Sequence, residues 1–164
     1  MSKLIFDFIG NYPQHIPLVA QWHQNEWHHI SPHLTTPLRI AQYSKYSNSP
    51  AIPSCIIALM NDQPVGSASL VGSDMDTHPH LHPWLASVFV DKAYRRQGIA
   101  TALIEKCIDN AHHLGIDTLY LFTPDQTSFY QKRGWKVIES CIYHNEKVDI
   151  MAYSVKNKSD LNTI

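Results

Sequence analysis

Arg95, Arg96, Gln97 and Gly98 stand between a run of strand-forming residues and the start of a helical pattern, an order that suits phosphate chemistry. Guanidinium groups pair bidentately with phosphate oxygens. A helix N-terminus adds unpaired N–H groups and the positive end of a dipole. Gly98 lets the backbone approach a ligand closely. Neither of the two familiar nucleotide loops is present, since there is no Gly-x-x-x-x-Gly-Lys-Ser/Thr and no Gly-x-Gly-x-x-Gly after a strand. Taken alone, the loop reads equally as an ordinary strand-to-helix turn with a solvated basic patch.

The elements that must position this loop are clear on both sides. Val88, Phe89 and Val90 are β-branched or aromatic, as a buried strand requires. From Ile99 the apolar residues recur at helical spacing. Ile99, Leu103 and Cys107 form one stripe, and Ala100, Ile104, Ile108 and Ala111 form its neighbour. Glu105, Lys106, Asp109, Asn110, His112 and His113 fall on the wet face. Residues 118–122 then alternate as a strand. After a Pro124-Asp125 turn come Thr127-Ser128-Phe129-Tyr130-Gln131-Lys132-Arg133-Gly134-Trp135.

The segment Arg95-Arg96-Gln97-Gly98-Ile99-Ala100 resembles the Arg/Gln-x-x-Gly-x-Gly/Ala pyrophosphate loop of the GNAT acetyltransferases. Residues 118–135 resemble that family's second motif, a strand followed by a short helix bearing Phe/Leu-Tyr and then Lys-x-Gly-Phe/Trp. The joint match covers roughly residues 85–140 and is specific. Before residue 84 the likeness is one of element order alone.

The resemblance implies roles. The cosubstrate would be acetyl-CoA, its pantetheine arm entering a splay between the two central strands. Backbone groups of Val88 and Val90 would pair with that arm, and an N–H near Val88 or Phe89 would polarise the thioester carbonyl. Arg95, Arg96, Gln97, Gly98, Ile99, Ala100 and Thr101 would hold the pyrophosphate. Tyr130 would lie by the sulfur, to protonate the leaving thiolate or simply to pack there. An Asn common in the second motif is missing, which leaves Gln126 as the substitute. The Glu that many members carry on the central strand is also missing; Ala86 and Ser87 occupy the place. Base candidates are therefore Glu26, His80 and His82, with Trp22, Trp27, His28 and His29 as possible neighbours of the acceptor. Residues 123–130 are similar to branches that acetylate protein N-termini. The implied activity is N-acetyl transfer to a primary amine, small-molecule or peptide, by direct attack in a ternary complex. The alternatives are a non-catalytic acyl-CoA sensor and an interaction module that kept only the fold.

Composition narrows the class. The chain has 164 residues, enough for one domain over 1–164 with a full core. A formal net charge of −1 argues against nucleic-acid partners and anionic membranes. No apolar run is long enough to span a bilayer and the N-terminus lacks a signal-peptide pattern, so a cytoplasmic protein, monomer or homodimer, is expected. Cys55, Cys107 and Cys141 sit in apolar elements and read as core residues in a reducing compartment. There are eleven histidines, densest at His78-Pro79-His80-Leu81-His82. The prolines make this a loop, and no carboxylate or Cys lies within it, so solvated histidines and no metal are expected.

Along the chain, residues 3–9 alternate as a first strand and Pro17 opens a helix carrying Leu18 and Trp22. An amphipathic stretch covers 38–46. Residues 54–60 and 65–71 form a hairpin around 61–64, a polar segment covers 72–83, and 84–90 is a strand. Residues 135–143 and 147–155 close with a hairpin around 144–146. The order is β-α-α-β-β-β-α-β-α-β-β, an α/β (α+β) arrangement that matches the GNAT fold: a mixed, mostly antiparallel sheet of about seven strands with helices on both faces.

Overall fold

In the computed structural model, which describes residues 3–156, Met1, Ser2 and residues 157–164 of the expected 1–164 domain lie outside the description. The elements follow the order β1 (Leu4–Phe8), α1 (Ile16–Trp27), α2 (Thr36–Tyr43), β2 (Ser54–Met60), β3 (Gln63–Val71), β4 (Trp84–Val90), α3 (Ile99–His113), β5 (Thr118–Thr123), α4 (Thr127–Gln131), β6 (Lys136–Tyr143) and β7 (Glu146–Ser154). The strands make one seven-stranded sheet in the order β1-β2-β3-β4-β5-β7-β6. Every pairing is antiparallel except β4 with β5.

Two tight turns shift the expected hairpin boundaries. Asn61 and Asp62, at φ 50° and 68°, close β2–β3; His144 and Asn145, at 48° and 67°, close β6–β7. Both pairs have the positive φ of a two-residue turn whose twist matches its strands. Strand β3 thus starts at Gln63 and includes Pro64, which sits by the register shift at Ala58/Leu59, where the ladder is already interrupted.

Alternation along β2 sends its side chains to two cores. Ile56 and Ala58 face α3, with Leu103, Ile104, Cys107, Ile108 and Ala111. Cys55, Ile57 and Leu59 face α1, with Ile16, Val19, Ala20 and Trp22. Helices therefore cover both faces, and the α3 stripes are buried as their spacing requires. On α1 Trp22 is buried as expected, but the helix faces do not follow apolarity throughout. Leu18 and Leu38 are exposed, whereas His23 on α1 and Arg39 on α2 are buried. A third cluster, of Ile30, Met75, Trp84, Tyr143, Val148 and Ile150, anchors the 72–83 segment onto the β6–β7 hairpin.

Strand β4 is irregular at the two points that matter. Ser67 pairs with Phe89 but Ser69 pairs with Ala86, so β4 carries an extra residue. Within that bulge Ser87 has φ 55°, a conformation a non-glycine residue holds only when its surroundings compensate. On the other side β4 pairs with β5 at Trp84↔Tyr120 alone, with Tyr120 N–H donating to the Pro83 carbonyl at 3.2 Å. Beyond that bridge the two strands diverge.

Candidate active site

The divergence opens a cavity of about 910 Å³ along β4. At the C-terminal end of the strand, Gly98 caps α3 from the left-handed region at φ 79°, and Arg96 precedes it at 65°. A Cβ on Gly98 would meet nothing within 4 Å, so the α3 N-terminus faces open space. Arg95, Arg96, Gly98, Ile99, Ala100 and Thr101 all line the cavity, as do Val88, Phe89, Val90, Gln126 and Tyr130. Gln97 is exposed and lies outside the lining. The two arginines differ. Arg95 folds back, donating from Nε to the Val90 carbonyl at 2.8 Å and lying 5.5 Å from the Phe89 ring centre. That bond stiffens the junction between β4 and the loop and uses one lone pair of a carbonyl expected to face pantetheine.

Arg133 completes this end, and sequence reasoning had quoted it only within a motif. Its Nε donates to Thr101 Oγ1 at 2.9 Å, its Nη1 to the Phe129 carbonyl at 2.7 Å, and its guanidinium lies 3.5 Å over the Phe129 ring. It ties the second motif to the first turn of α3. Tyr130 packs edge-on against Phe129 and Trp135 and is 9% exposed. Desolvation pushes its phenol above the ordinary value, with the Arg133 charge acting the other way, so it holds its proton at neutral pH.

The opposite end of the cavity is rich in carboxylates, set against two cations. Glu26, Asp74 and Asp76 line it with Trp27, Arg39, Lys45 and Tyr143. Asp76 accepts a hydrogen bond from the Tyr143 hydroxyl at 3.0 Å. Asp74 is half-buried, and desolvation raises its carboxyl to about 7, opposed by the Arg39 charge. Arg39 is 4% exposed; its Nε donates to Gln24 Oε1 at 3.0 Å and its Nη2 has no hydrogen-bond partner among the described residues. Of the expected bases only Glu26 lines the cavity. His80 and His82 lie exposed outside it; from the 72–83 segment it is Asp74 and Asp76 that line the cavity, while His78 reaches β6. Asp74 and Arg39 carried no local signal, the one lying in a segment read only as polar and the other in a stretch read only as amphipathic.

A buried chain of hydrogen bonds joins α2 to the bulge. His23 is fully buried, with Nδ1 2.7 Å from the Tyr43 hydroxyl and Nε2 2.9 Å from Ser67 Oγ. Ser67 Oγ donates to the Ser87 carbonyl at 3.3 Å. Its proton being committed there, Ser67 accepts from His23 Nε2–H, and His23 Nδ1 accepts from Tyr43. Burial, with Arg39 nearby, lowers the His23 pKa to about 3, so the ring is neutral and suits these roles. The chain thus ties the carbonyl of Ser87, the strained residue of the bulge, to buried groups on α1 and α2.

Of the 78–82 histidines, His80 and His82 are exposed as expected and His78 is not. His78 keeps 13% side-chain exposure, and its Nε2 lies 2.7 Å from Glu139 Oε2 on β6. Cys141 on the same strand is half-buried beside them, at the edge of the third cluster, whereas Cys55 and Cys107 are buried as expected. No helix among the described residues is long and apolar enough to cross a membrane.

Comparisons with known proteins agree with this geometry. A search among curated proteins finds no match. Among solved structures the fold is similar to a GNAT-family acetyltransferase from Streptococcus pneumoniae, at TM-score 0.67 and 18% identity over 93% of this chain and 99% of the other. It is also similar to an aminoglycoside 6'-N-acetyltransferase complexed with coenzyme A (0.70, 16%, 92% and 97%). The Salmonella typhimurium protein yncA, solved with its cofactor acetyl-CoA, matches at 0.71 and 14% over 93% and 94%. The sequence profile of the acetyltransferase (GNAT) family matches residues 16–135, and the chain belongs to that family of acetyl-transferring enzymes.

Proposed function

We propose that this acetyltransferase moves the acetyl group of acetyl-CoA to a primary amine by direct attack within a ternary complex. The observation that carries the reading is one cavity joining the cationic α3 N-terminus to the carboxylates Glu26, Asp74 and Asp76, with the Ser87 bulge between them. Backbone N–H groups of residues 96–101 would hold the pyrophosphate, with the guanidinium of Arg96 beside it. The carboxylate-rich end would draw in an ammonium acceptor.

Asp74 is the base in this reading, in place of the histidines. A carboxyl near pKa 7 is partly ionised at neutral pH and can accept the proton that an ammonium must lose. The free amine then attacks the thioester carbon, and an N–H at Val88 or Phe89, aimed by the bulge, stabilises the oxyanion. As the C–S bond breaks, Tyr130 gives its proton to the leaving thiolate; the attacking nitrogen loses its second proton, which returns through solvent in the open cavity to the Tyr130 phenolate, and the amide is left neutral with the first proton on Asp74 for release to solvent. Purified protein, acetyl-CoA and a panel of primary amines and N-terminal peptides, with released CoA measured, test this. Amine-dependent release over many turnovers is expected. Tight CoA binding without turnover on any amine would favour a sensor.

A further inference from the structure

We infer that His78, Glu139 and Cys141 form a divalent transition-metal site, best suited to Zn²⁺, outside the acetyl-transfer cavity. One ligand atom from each side chain lies within 4.8 Å of the others, and His78 Nε2 and Glu139 Oε2 are 2.7 Å apart. Ligand atoms about 2.0–2.3 Å from a tetrahedral zinc stand roughly 3–4 Å from one another, so small rotamer changes bring these three into place. The donor set is one thiolate, one imidazole and one carboxylate. Thiolate and imidazole together select zinc over magnesium or calcium, which take oxygen ligands.

The surroundings suit the role. The imidazole can face a metal only if its orientation is fixed, and Thr77 Oγ1 lies 2.8 Å from His78 Nδ1, where an outer-shell partner belongs. Coordination releases the Cys141 thiol proton to solvent, leaving a thiolate, a carboxylate and a neutral imidazole whose two negative charges balance the cation. A fourth position is open to water or to His80, whose ring centre is 5.8 Å from that of His78. The ligands come from two elements that the chain separates by 61 residues, so the metal would fasten the 72–83 segment to β6. That segment also carries Asp74 and Asp76 into the cavity, so the metal clamps its carboxylate-rich wall from outside without touching the reacting groups.

The test uses the full chain after dialysis against a chelator. Zinc titrated by calorimetry is expected to bind at one site per chain, and cobalt to show thiolate-to-metal absorption that Cys141→Ser abolishes. Cys141→Ser and His78→Ala should weaken zinc by more than the roughly 10–100-fold expected of the outer-shell variant Thr77→Val. Far-UV dichroism and CoA affinity should be unchanged in all three, which separates loss of the site from misfolding and from failure of the acetyl-CoA reading. Zinc that binds the Cys141→Ser and His78→Ala proteins as tightly as wild type, or at several weak sites scattered over the other histidines, overturns the assignment.

Discussion

At the C-terminal end of β4 the cavity wall draws six residues from one short stretch, 95–101, with the second motif closing it, whereas at the N-terminal end Glu26, Asp74, Asp76 and Tyr143 arrive from three separate regions of the sequence. The first end works chiefly through backbone: a glycine at φ 79°, a helix N-terminus and N–H groups that any side chains could present. The second works through side chains whose chemistry depends on burial and on each other, as Asp74 depends on Arg39. A site that reads a constant ligand group can be built locally. One that must match a particular acceptor is assembled by tertiary structure, from loops free to vary.

The largest expected effect lies at the backbone-built end. Gly98→Asp places a carboxylate in the open space before α3, where phosphates would sit, and forces a Cβ into the left-handed region. CoA binding by calorimetry should be abolished while the thermal unfolding midpoint falls by only a few degrees, since nothing packs against that position and the left-handed backbone costs a side chain about 1–2 kcal/mol. A folded Gly98→Asp protein with wild-type CoA affinity would remove the phosphate role from this end.

At the other end Asp74→Asn should lower turnover by roughly 10²–10⁴-fold, the range for a lost general base, with acetyl-CoA affinity intact. In the wild type, kcat/KM for the amine should rise through about pH 7, and this limb should vanish in the variant. An amine that sheds its own proton would put the limb well above that. Stability should move the opposite way. The folded carboxyl titrates at about 7 and the unfolded one near 3.8, so the folded state holds more protons across that window and stability falls as pH rises through it. Above pH 7 Asp74→Asn should therefore unfold at a higher temperature than wild type. A variant that is less stable at pH 8, or as active as wild type, refutes the assignment.

Tyr130→Phe should cost about 10²-fold in turnover, the low end for a general acid, because water can reach the thiolate from an open cavity. Packing against Phe129 and Trp135 is kept, so KM for acetyl-CoA should not change. Wild-type turnover would reduce Tyr130 to a packing role.

What could be read from the chain follows the same division. Strand β4, helix α3 and the 118–135 segment were legible because each is an uninterrupted pattern whose period decides its structure. Strands at residues 3–9, 54–60 and 147–155 came out within two residues for the same reason. The acceptor end was not legible. Glu26 has the right chemistry, and it lines the cavity; His80 and His82 have it too, and they do not, because the path of one loop decides that Asp74 and Asp76 reach the cavity instead. Arg39 and His23 were read past because helical spacing marks a face as buried without saying that a cation or an imidazole will be paired there. Cys141 was read as core because its strand is apolar; Glu139 and His78 are its neighbours only after the sheet has formed.

The smallest effect on rate, and the sharpest test of how the two ends are joined, concerns Ser67. Its hydroxyl donates to the Ser87 carbonyl and accepts from His23, so it couples the bulge to α1 and, through Tyr43, to α2. Ser67→Ala leaves His23 Nε2–H buried without a partner, at a cost of about 1–3 kcal/mol in stability. Freed of its tie, the Ser87 carbonyl can turn and relax the φ of 55°, which moves the N–H groups at Val88 and Phe89 off the oxyanion position. Turnover should fall severalfold for every acceptor alike, with KM values unchanged, since neither wall has been altered. The same network sets the acid limit. His23 titrates at about 3 when folded and near 6.5 when unfolded, so its stabilising contribution is complete above pH 6.5 and is lost as pH falls from there towards 3. In His23→Leu that slope should flatten. If Ser67→Ala instead changes the rate with one amine and spares another, the bulge belongs to the acceptor wall and is not the common hinge of the two arms.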